Sequence, residues 1–242
     1  MPLIRHDDPC LLFTMRRESM AFLKRFRPTQ RVTTTPCWAS FCGPADRSVL
    51  VMETGIGKEN VLSALDWVLA KPSVDGIPYE PRFIVLAGFA GALVDELSVG
   101  DVICVAEVVD ANGRSWNIDP NRTEQRERLA TVDRLIAKSA DKRQLATSTG
   151  AIAVDMESAH VAARCETAGV PIACVRAISD EVATELSPGL ASLLNRGNVA
   201  IWRVVLALAR RPLLLPELLR LARDTKIASA KLAEVLAEMV EN

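Results

Sequence analysis

Three carboxylates and two glycine-rich segments sit at successive exits from apolar, strand-like runs. Glu18 follows the run Cys10 to Thr14, within Met15-Arg16-Arg17-Glu18. Gly55-Ile56-Gly57 follows Ser48 to Met52, and Gly88-Phe89-Ala90-Gly91 follows Phe83 to Ala87. Glu157 follows Ala151 to Val154, and Asp180 follows Pro171 to Ile178. Open α/β sheets bind ligands beyond the carboxyl ends of their strands, so these positions converge if the runs share a sheet. Taken singly, each residue has a bland explanation. Glu157 is a first-turn charge worth roughly 0.3–1 kcal/mol, Asp180 an N-cap, Glu18 a solvated member of a charged run, and the glycines tight turns. Taken together, they outline a site. One carboxylate kept protonated and another kept ionised supply acid–base chemistry. A carboxylate also grips vicinal hydroxyls in a bidentate fashion, and backbone amides beside small residues suit a flat base. The chemistry that fits is a nucleoside-type ligand whose glycosidic bond is labilised by protonating the leaving base.

Other chemistries lack their residues. The only histidines are His6 and His160, too few for a His-rich metal site or a Ser-His-Asp triad. Cys10, Cys37, Cys42, Cys104, Cys165 and Cys174 form no C-x-x-C pair and read as free, mostly buried thiols of a reducing compartment. The spacing around Gly55-Ile56-Gly57-Lys58 is neither a Walker A loop nor a dinucleotide fingerprint. No metal or organic cofactor is expected, with inorganic phosphate the one conceivable co-substrate. A net charge of −1 lacks the positive field of a nucleic-acid binder. With 49% hydrophobic and 24% charged residues the chain is globular, not disordered. No apolar run reaches the length of a membrane span. The N-terminus carries no apolar signal segment, so a cytoplasmic location is expected.

The elements that must hold these residues alternate in type. Strand-like runs at Cys10 to Thr14, Arg31 to Ser40, Ser48 to Met52, Phe83 to Ala87, Asp101 to Val109, Ala151 to Val154 and Pro171 to Ile178 are interleaved with helical stretches. The helices run up to Phe26, over Glu59 to Ala70 and over Glu157 to Ala168. Lys71 to Pro81 and Asp110 to Glu124 read as loops. From Pro188 onward the pattern is helical, broken at Pro212 and Pro216, with an amphipathic last piece over Glu217 to Val240. No repeat or linker interrupts the alternation. One domain over residues 1–242 is expected, an α/β fold with a largely parallel central sheet, closed by C-terminal helices over about residues 188–242.

Six motifs in order resemble the nucleoside phosphorylase superfamily, in particular its methylthioadenosine/S-adenosylhomocysteine nucleosidase-like branch. They are Met15-Arg16-Arg17-Glu18, Thr54-Gly55-Ile56-Gly57-Lys58, Gly88-Phe89-Ala90-Gly91-Ala92-Leu93, Val99-Gly100-Asp101-Val102, Ala153-Val154-Asp155-Met156-Glu157-Ser158 and Val175-Arg176-Ala177-Ile178-Ser179-Asp180. Thr149-Gly150-Ala151 and the tail segments Ala209 to Pro212 and Leu218 to Asp224 are similar to the hopanoid-associated phosphorylases. The resemblance implies a three-layer α/β/α sandwich with a mixed, largely parallel sheet, and cleavage of the N-ribosidic bond of a purine nucleoside or 5′-substituted adenosine. A lipid-linked substrate such as adenosylhopane falls within that class. It implies Asp180 as general acid at the purine and Glu18 as the acid orienting an attacking water. Glu157 would hold the ribose hydroxyls, with Met156 packed beneath the sugar. Ala90, Gly91 and Ser179 would line the base, and Ile56, Gly57, Phe89 and Arg17 the 5′-substituent or nucleophile pocket. A homodimer or larger homo-oligomer is implied, and peripheral membrane contact through the C-terminal helices is conceivable.

The sequence also departs from that pattern. Phe89 replaces a small hydroxyl residue, removing a contact and filling space near the nucleophile. The loop from Asp110 to Thr147 is shorter than in the nucleosidases and lacks their aromatic base-stacking segment, for which Trp116 is the available substitute. If Arg16 or Arg17 points inward it binds phosphate and the enzyme is a phosphorylase; if both are solvated it is a hydrolase. Phe89 also leaves open a non-catalytic nucleoside-binding protein on the same fold.

Overall fold

The computed structural model describes residues 8–43, 48–118, 127–190 and 215–241. Eleven of the described strands form one mixed sheet. Its parallel centre runs in the order β4 (Val49–Glu53), β1 (Cys10–Phe13), β7 (Ile84–Ala92), β13 (Ile172–Asp180). One side continues antiparallel through β3 (Trp38–Cys42) and β2 (Gln30–Val32). On the other side β8 (Val102–Cys104) lies antiparallel to β13. The last residues of β7, Gly91 and Ala92, pair antiparallel with β12 (Ala153–Asp155). Beyond it follow β11 (Arg128–Thr131), β9 (Glu107–Asp110) and β10 (Ser115–Asn117). A separate hairpin joins β5 (Ser73–Val74) to β6 (Ile77–Pro78).

Side chains alternate across a strand, and here the alternation sorts the core into two layers. Leu11, Phe13, Val51, Val85 and Ala87 face Phe22 and Phe26 of α1 (Arg16–Arg25) and Ala228, Leu232 and Leu236 of α5 (Leu215–Glu241). Cys10, Leu12, Leu50, Met52, Ile84 and Leu86 face Val61, Leu65 and Val68 of α2 (Lys58–Leu69) and Val161 and Cys165 of α4 (Ser158–Ala168). Continuous apolar runs are what strands covered on both faces require. The mixed sheet between two helical layers matches the expected fold class, with the parallel pairing concentrated at its centre.

Several boundaries differ from the sequence reading. Arg31 to Ser40 splits into β2 and β3 across a bend containing Pro36, whose ring cannot donate to a ladder. Asp101 to Val109 splits into β8 and β9, which join different neighbours. Gly88 to Gly91 is not a turn after the strand; β7 runs through it, because β13 pairs along its whole length. The supposed loop from Asp110 to Thr147 contains β10, β11 and most of α3 (Ser139–Thr149), a polar helix with little apolar periodicity to announce it. Within the loop reading of Lys71 to Pro81 lies the β5–β6 hairpin. Pro216 is the second residue of α5, in the first turn where its missing N–H costs no helical bond. The break expected at Pro212 lies outside the described residues, as do Asp119-Pro120 and most of the turn at Gly43 to Asp46.

Candidate active site

Glu18 is the third residue of α1, which begins directly after β1. At that position a carboxylate turns back onto the free amides of the helix start. Its Oε2 accepts the N–H of Thr14 at 2.9 Å, the N–H of Met15 at 2.8 Å and the Thr14 hydroxyl at 3.0 Å. Its Oε1 accepts the Phe89 N–H at 2.9 Å. The side chain is buried, not solvated. Burial pushes its carboxyl above the ordinary value, against the Arg176 guanidinium and these hydrogen bonds, which pull it down.

Arg176 reaches the same place from β13. Its register partner on β7 is Gly88. A Cβ on Gly88 would collide with Arg176 Nη1 and lie 2.7 Å from Glu18 Oε1. The absent side chain is therefore what lets guanidinium and carboxylate converge on one strand. Arg176 Nη2 donates to Asp155 Oδ2 at 2.6 Å and to Ser158 Oγ at 2.9 Å, while Nε is buried without a partner among the described residues. Burial pulls the guanidinium down, yet Asp155, Cys174, Glu18 and Glu157 together more than reverse this, so it stays charged. Asp155 is saturated: Thr131 Oγ1 donates to Oδ1 at 2.7 Å, and Ser158 Oγ donates to Oδ2 at 2.7 Å. A buried ion pair costs desolvation that only full hydrogen bonding repays, which is the case for Asp155.

Glu157 caps the start of α4 and is also buried. Its Oε1 accepts the Gly57 N–H at 3.1 Å. Gly57 sits at φ 97°, a conformation that favours glycine, and this turns its amide toward the carboxylate. Burial, then the neighbouring Asp155, push the Glu157 carboxyl up to about 7, against Arg176 and the Gly57 amide; Glu18 adds to the rise.

Asp180 ends β13, past a register shift at Ser179. It lies over Gly91, where a Cβ would come within 3.0 Å of Oδ2. Ser179 Oγ donates to Oδ1 at 2.9 Å, and Lys142 Nζ donates to Oδ2 at 2.5 Å. Gly91 is three residue steps beyond Gly88 on β7, or roughly 10 Å at about 3.3 Å per residue. Glu18 and Arg176 therefore converge at one end of a nucleoside-length stretch, and Asp180 lies at the other.

Glu18, Ser179 and Asp180 reach Phe89, Ala90 and Gly91 on β7, Glu157 holds Gly57, Met156 stands between Asp155 and Glu157, and Ile56, exposed, stands beside Gly57. Arg17 stands apart. One residue on from Arg16 and about 100° around the helix from Glu18, it is exposed and lines an outer groove with Met20, Lys24 and Lys226. Phe89 contributes its amide to the site, but its ring belongs to the apolar cluster of Phe13, Phe22 and Leu232. Trp116 is no base-stacking substitute. Its indole N–H donates to Glu166, near the far end of α4 from Glu157, and Arg114 stacks on its ring at 4.7 Å. Arg176, Asp155 and Lys142 were not singled out from sequence. Arg176 stands among apolar residues of a strand, and a charge in such a run is the signal that was there to read. Among the described residues, no group of three or more His, Cys, Asp or Glu side chains is arranged to hold a metal ion, and no helix is long and apolar enough to cross a membrane.

Residues 121–200 match the family model described as the phosphorylase superfamily. The chain is similar to the 5′-methylthioadenosine/S-adenosylhomocysteine nucleosidase of Staphylococcus aureus, 28% identical over 193 residues, covering 67% of this chain and 82% of that protein. In fold it is similar to the Neisseria meningitidis nucleosidase of the same name in complex with methylthio-immucillin-A, with TM-score 0.71, 18% identity and coverage of 97% and 99%. The Helicobacter pylori nucleosidase aligns at TM-score 0.70 with 18% identity, covering 98% and 99%. The futalosine hydrolase of Helicobacter pylori aligns at TM-score 0.67 with 19% identity, covering 97% of each chain.

Proposed function

We propose that this chain, whose residues 121–200 match the phosphorylase superfamily model, hydrolyses the N-ribosidic bond of a purine nucleoside, most readily a 5′-substituted adenosine. The observation that carries the hydrolytic reading is the buried Glu18 carboxylate. It already takes the amides of Thr14, Met15 and Phe89, the donors an incoming phosphate would need. A phosphate there would meet a carboxylate, whereas a water molecule can donate to Glu18 and accept from Arg176. The two arginines of α1 that could favour phosphate, Arg16 and Arg17, are both exposed, and Arg17 lines an outer groove.

In this reading the ribose lies between Glu157 and the β7 backbone. Glu157 accepts the two ribose hydroxyls, and its negative charge favours the oxocarbenium-like state as the bond to the base lengthens. Met156 packs beneath the sugar, and Ile56 meets the 5′ substituent. The base lies along Ala90, Gly91 and Ser179, with Asp180 delivering a proton to N7 of the purine. The electron pair of the broken C–N bond stays with the base. Water adds to the anomeric carbon, and Glu18 takes its proton; the upward push that burial exerts on this carboxyl suits a base. No cofactor enters the scheme. The test is adenine release from adenosine and 5′-methylthioadenosine by wild type and by Asp180→Asn. Release by the wild type, lost in a folded Asp180→Asn, supports the reading; binding of these ligands without release would make the chain a nucleoside-binding protein.

A further inference from the structure

α3 is a polar helix with one fully buried side chain, and that side chain is a lysine. Lys142 is 1% exposed. Packing alone would place an apolar residue there, because an ammonium out of water must be compensated on every side. The compensation is specific. Nζ donates to Asp180 Oδ2 at 2.5 Å, to the Glu181 carbonyl at 2.7 Å and to the Thr184 carbonyl at 3.4 Å, which uses all three of its donors. The lysine thus holds the proposed acid and the chain leaving it, and it cannot reach a ligand itself. The charged group bonded to it is Asp180 on β13; the Glu181 carboxylate instead accepts the Val99 N–H, and Asp141 precedes the lysine on α3. Glu185 in turn accepts the N–H of Ser139 at the start of α3.

We propose that Lys142 is the positioning residue and proton partner of Asp180. This rests on the hydrolase reading given above. The bond from Nζ to Oδ2 is direct and charge-assisted, and it is the path along which a proton would pass between the two groups. As the ribosidic bond breaks, its electron pair goes to the departing purine, the Nζ–H proton of Lys142 moves to the Asp180 carboxylate, and Asp180 passes a proton on to the purine and is again a carboxylate. Lys142 is then a neutral amine. The proton that Glu18 takes from the attacking water leaves through solvent, and one proton from solvent restores the ammonium once the base departs. One water is consumed and no other reactant is needed.

The test compares two leaving groups. Adenine leaves only with a proton, whereas the phenolate of 4-nitrophenyl β-D-riboside leaves without one. In Lys142→Met, kcat for adenine release from 5′-methylthioadenosine should fall about 100-fold or more, within the range for loss of a general acid. Its KM should hold within about threefold, and nitrophenol release should also fall less than about threefold. Asp180→Asn should show the same split. Lys142→Arg keeps the charge, preserved nitrophenol release in it shows that the site is intact, and a guanidinium does not part with its proton. Adenine release should therefore stay depressed in it, and this variant decides the matter if Lys142→Met fails to fold. Equal loss on both substrates would reduce the lysine to a structural pin, and full adenine release in Lys142→Arg would rule out proton transfer. A wild type that cleaves neither substrate would instead overturn the hydrolase reading itself.

Discussion

Gly88 and Arg176 are register partners on neighbouring parallel strands, and the missing Cβ of the first is the space that the guanidinium of the second occupies beside Glu18. Through Arg176 the same contact reaches Asp155 and Ser158 at the start of α4. One glycine thus sets the geometry of the proposed water site and its link to the ribose site.

Gly88→Ala should accordingly harm both stability and activity. The new methyl forces Arg176 or Glu18 out of place, and overpacking of this kind costs about 1–3 kcal/mol. Urea unfolding should show that loss. Where the protein remains folded, adenine release should fall at least about tenfold, the equivalent of about 1.4 kcal/mol in the barrier. An unchanged rate would mean that the convergence over Gly88 is packing alone.

The Glu157 carboxyl, pushed up to about 7 by burial and by Asp155, makes stability depend on pH. The folded chain holds this proton more tightly than the unfolded chain, whose carboxyl has its ordinary value near 4.5. The resulting stabilisation is fully present below about pH 4.5 and is lost as pH rises through about 7. Glu157→Gln removes that component. The melting temperature of wild type minus that of the variant should therefore decline between pH 5 and pH 8. Ribose binding needs the ionised form, so the wild-type KM should improve over the same interval while that of the variant stays flat.

Glu18→Gln should separate chemistry from binding. The carboxamide keeps an acceptor for some of the amides at the start of α1 but takes no proton from water. A general base is worth about 10²–10⁴-fold, so kcat should drop into that range with KM little changed. Arg17→Ala, on the exposed face of α1, should leave kcat/KM within about twofold and stability within about 0.5 kcal/mol of wild type. A large loss in Arg17→Ala would return phosphate to consideration.

The sequence was most legible where burial imposes a pattern. Phe83 to Ala87 and, Arg176 apart, Pro171 to Ile178 are apolar because both faces are covered, and the carboxylates at Glu18, Glu157 and Asp180 stand out at the ends of such runs. The supporting groups were less legible. Lys142 lies on a polar helix without periodicity, in a stretch that reads as loop, so only the structure brings it to Asp180. Gly88 and Gly91 read as a turn, because a strand that excludes side chains to admit a neighbour's charge has the same composition as a bend. Arg17 and Glu18 are adjacent in the chain, and which of them turns inward is decided by the amides at the start of α1, which only a carboxylate can accept.

The central claim is that water, placed by Glu18 and Arg176, is the nucleophile. The direct measurement is turnover of 5′-methylthioadenosine in ¹⁸O-labelled water, with and without phosphate, followed by mass analysis of the sugar product. The account predicts one labelled oxygen on a free 5-methylthioribose and a rate indifferent to phosphate. An unlabelled sugar 1-phosphate formed only when phosphate is present would contradict it.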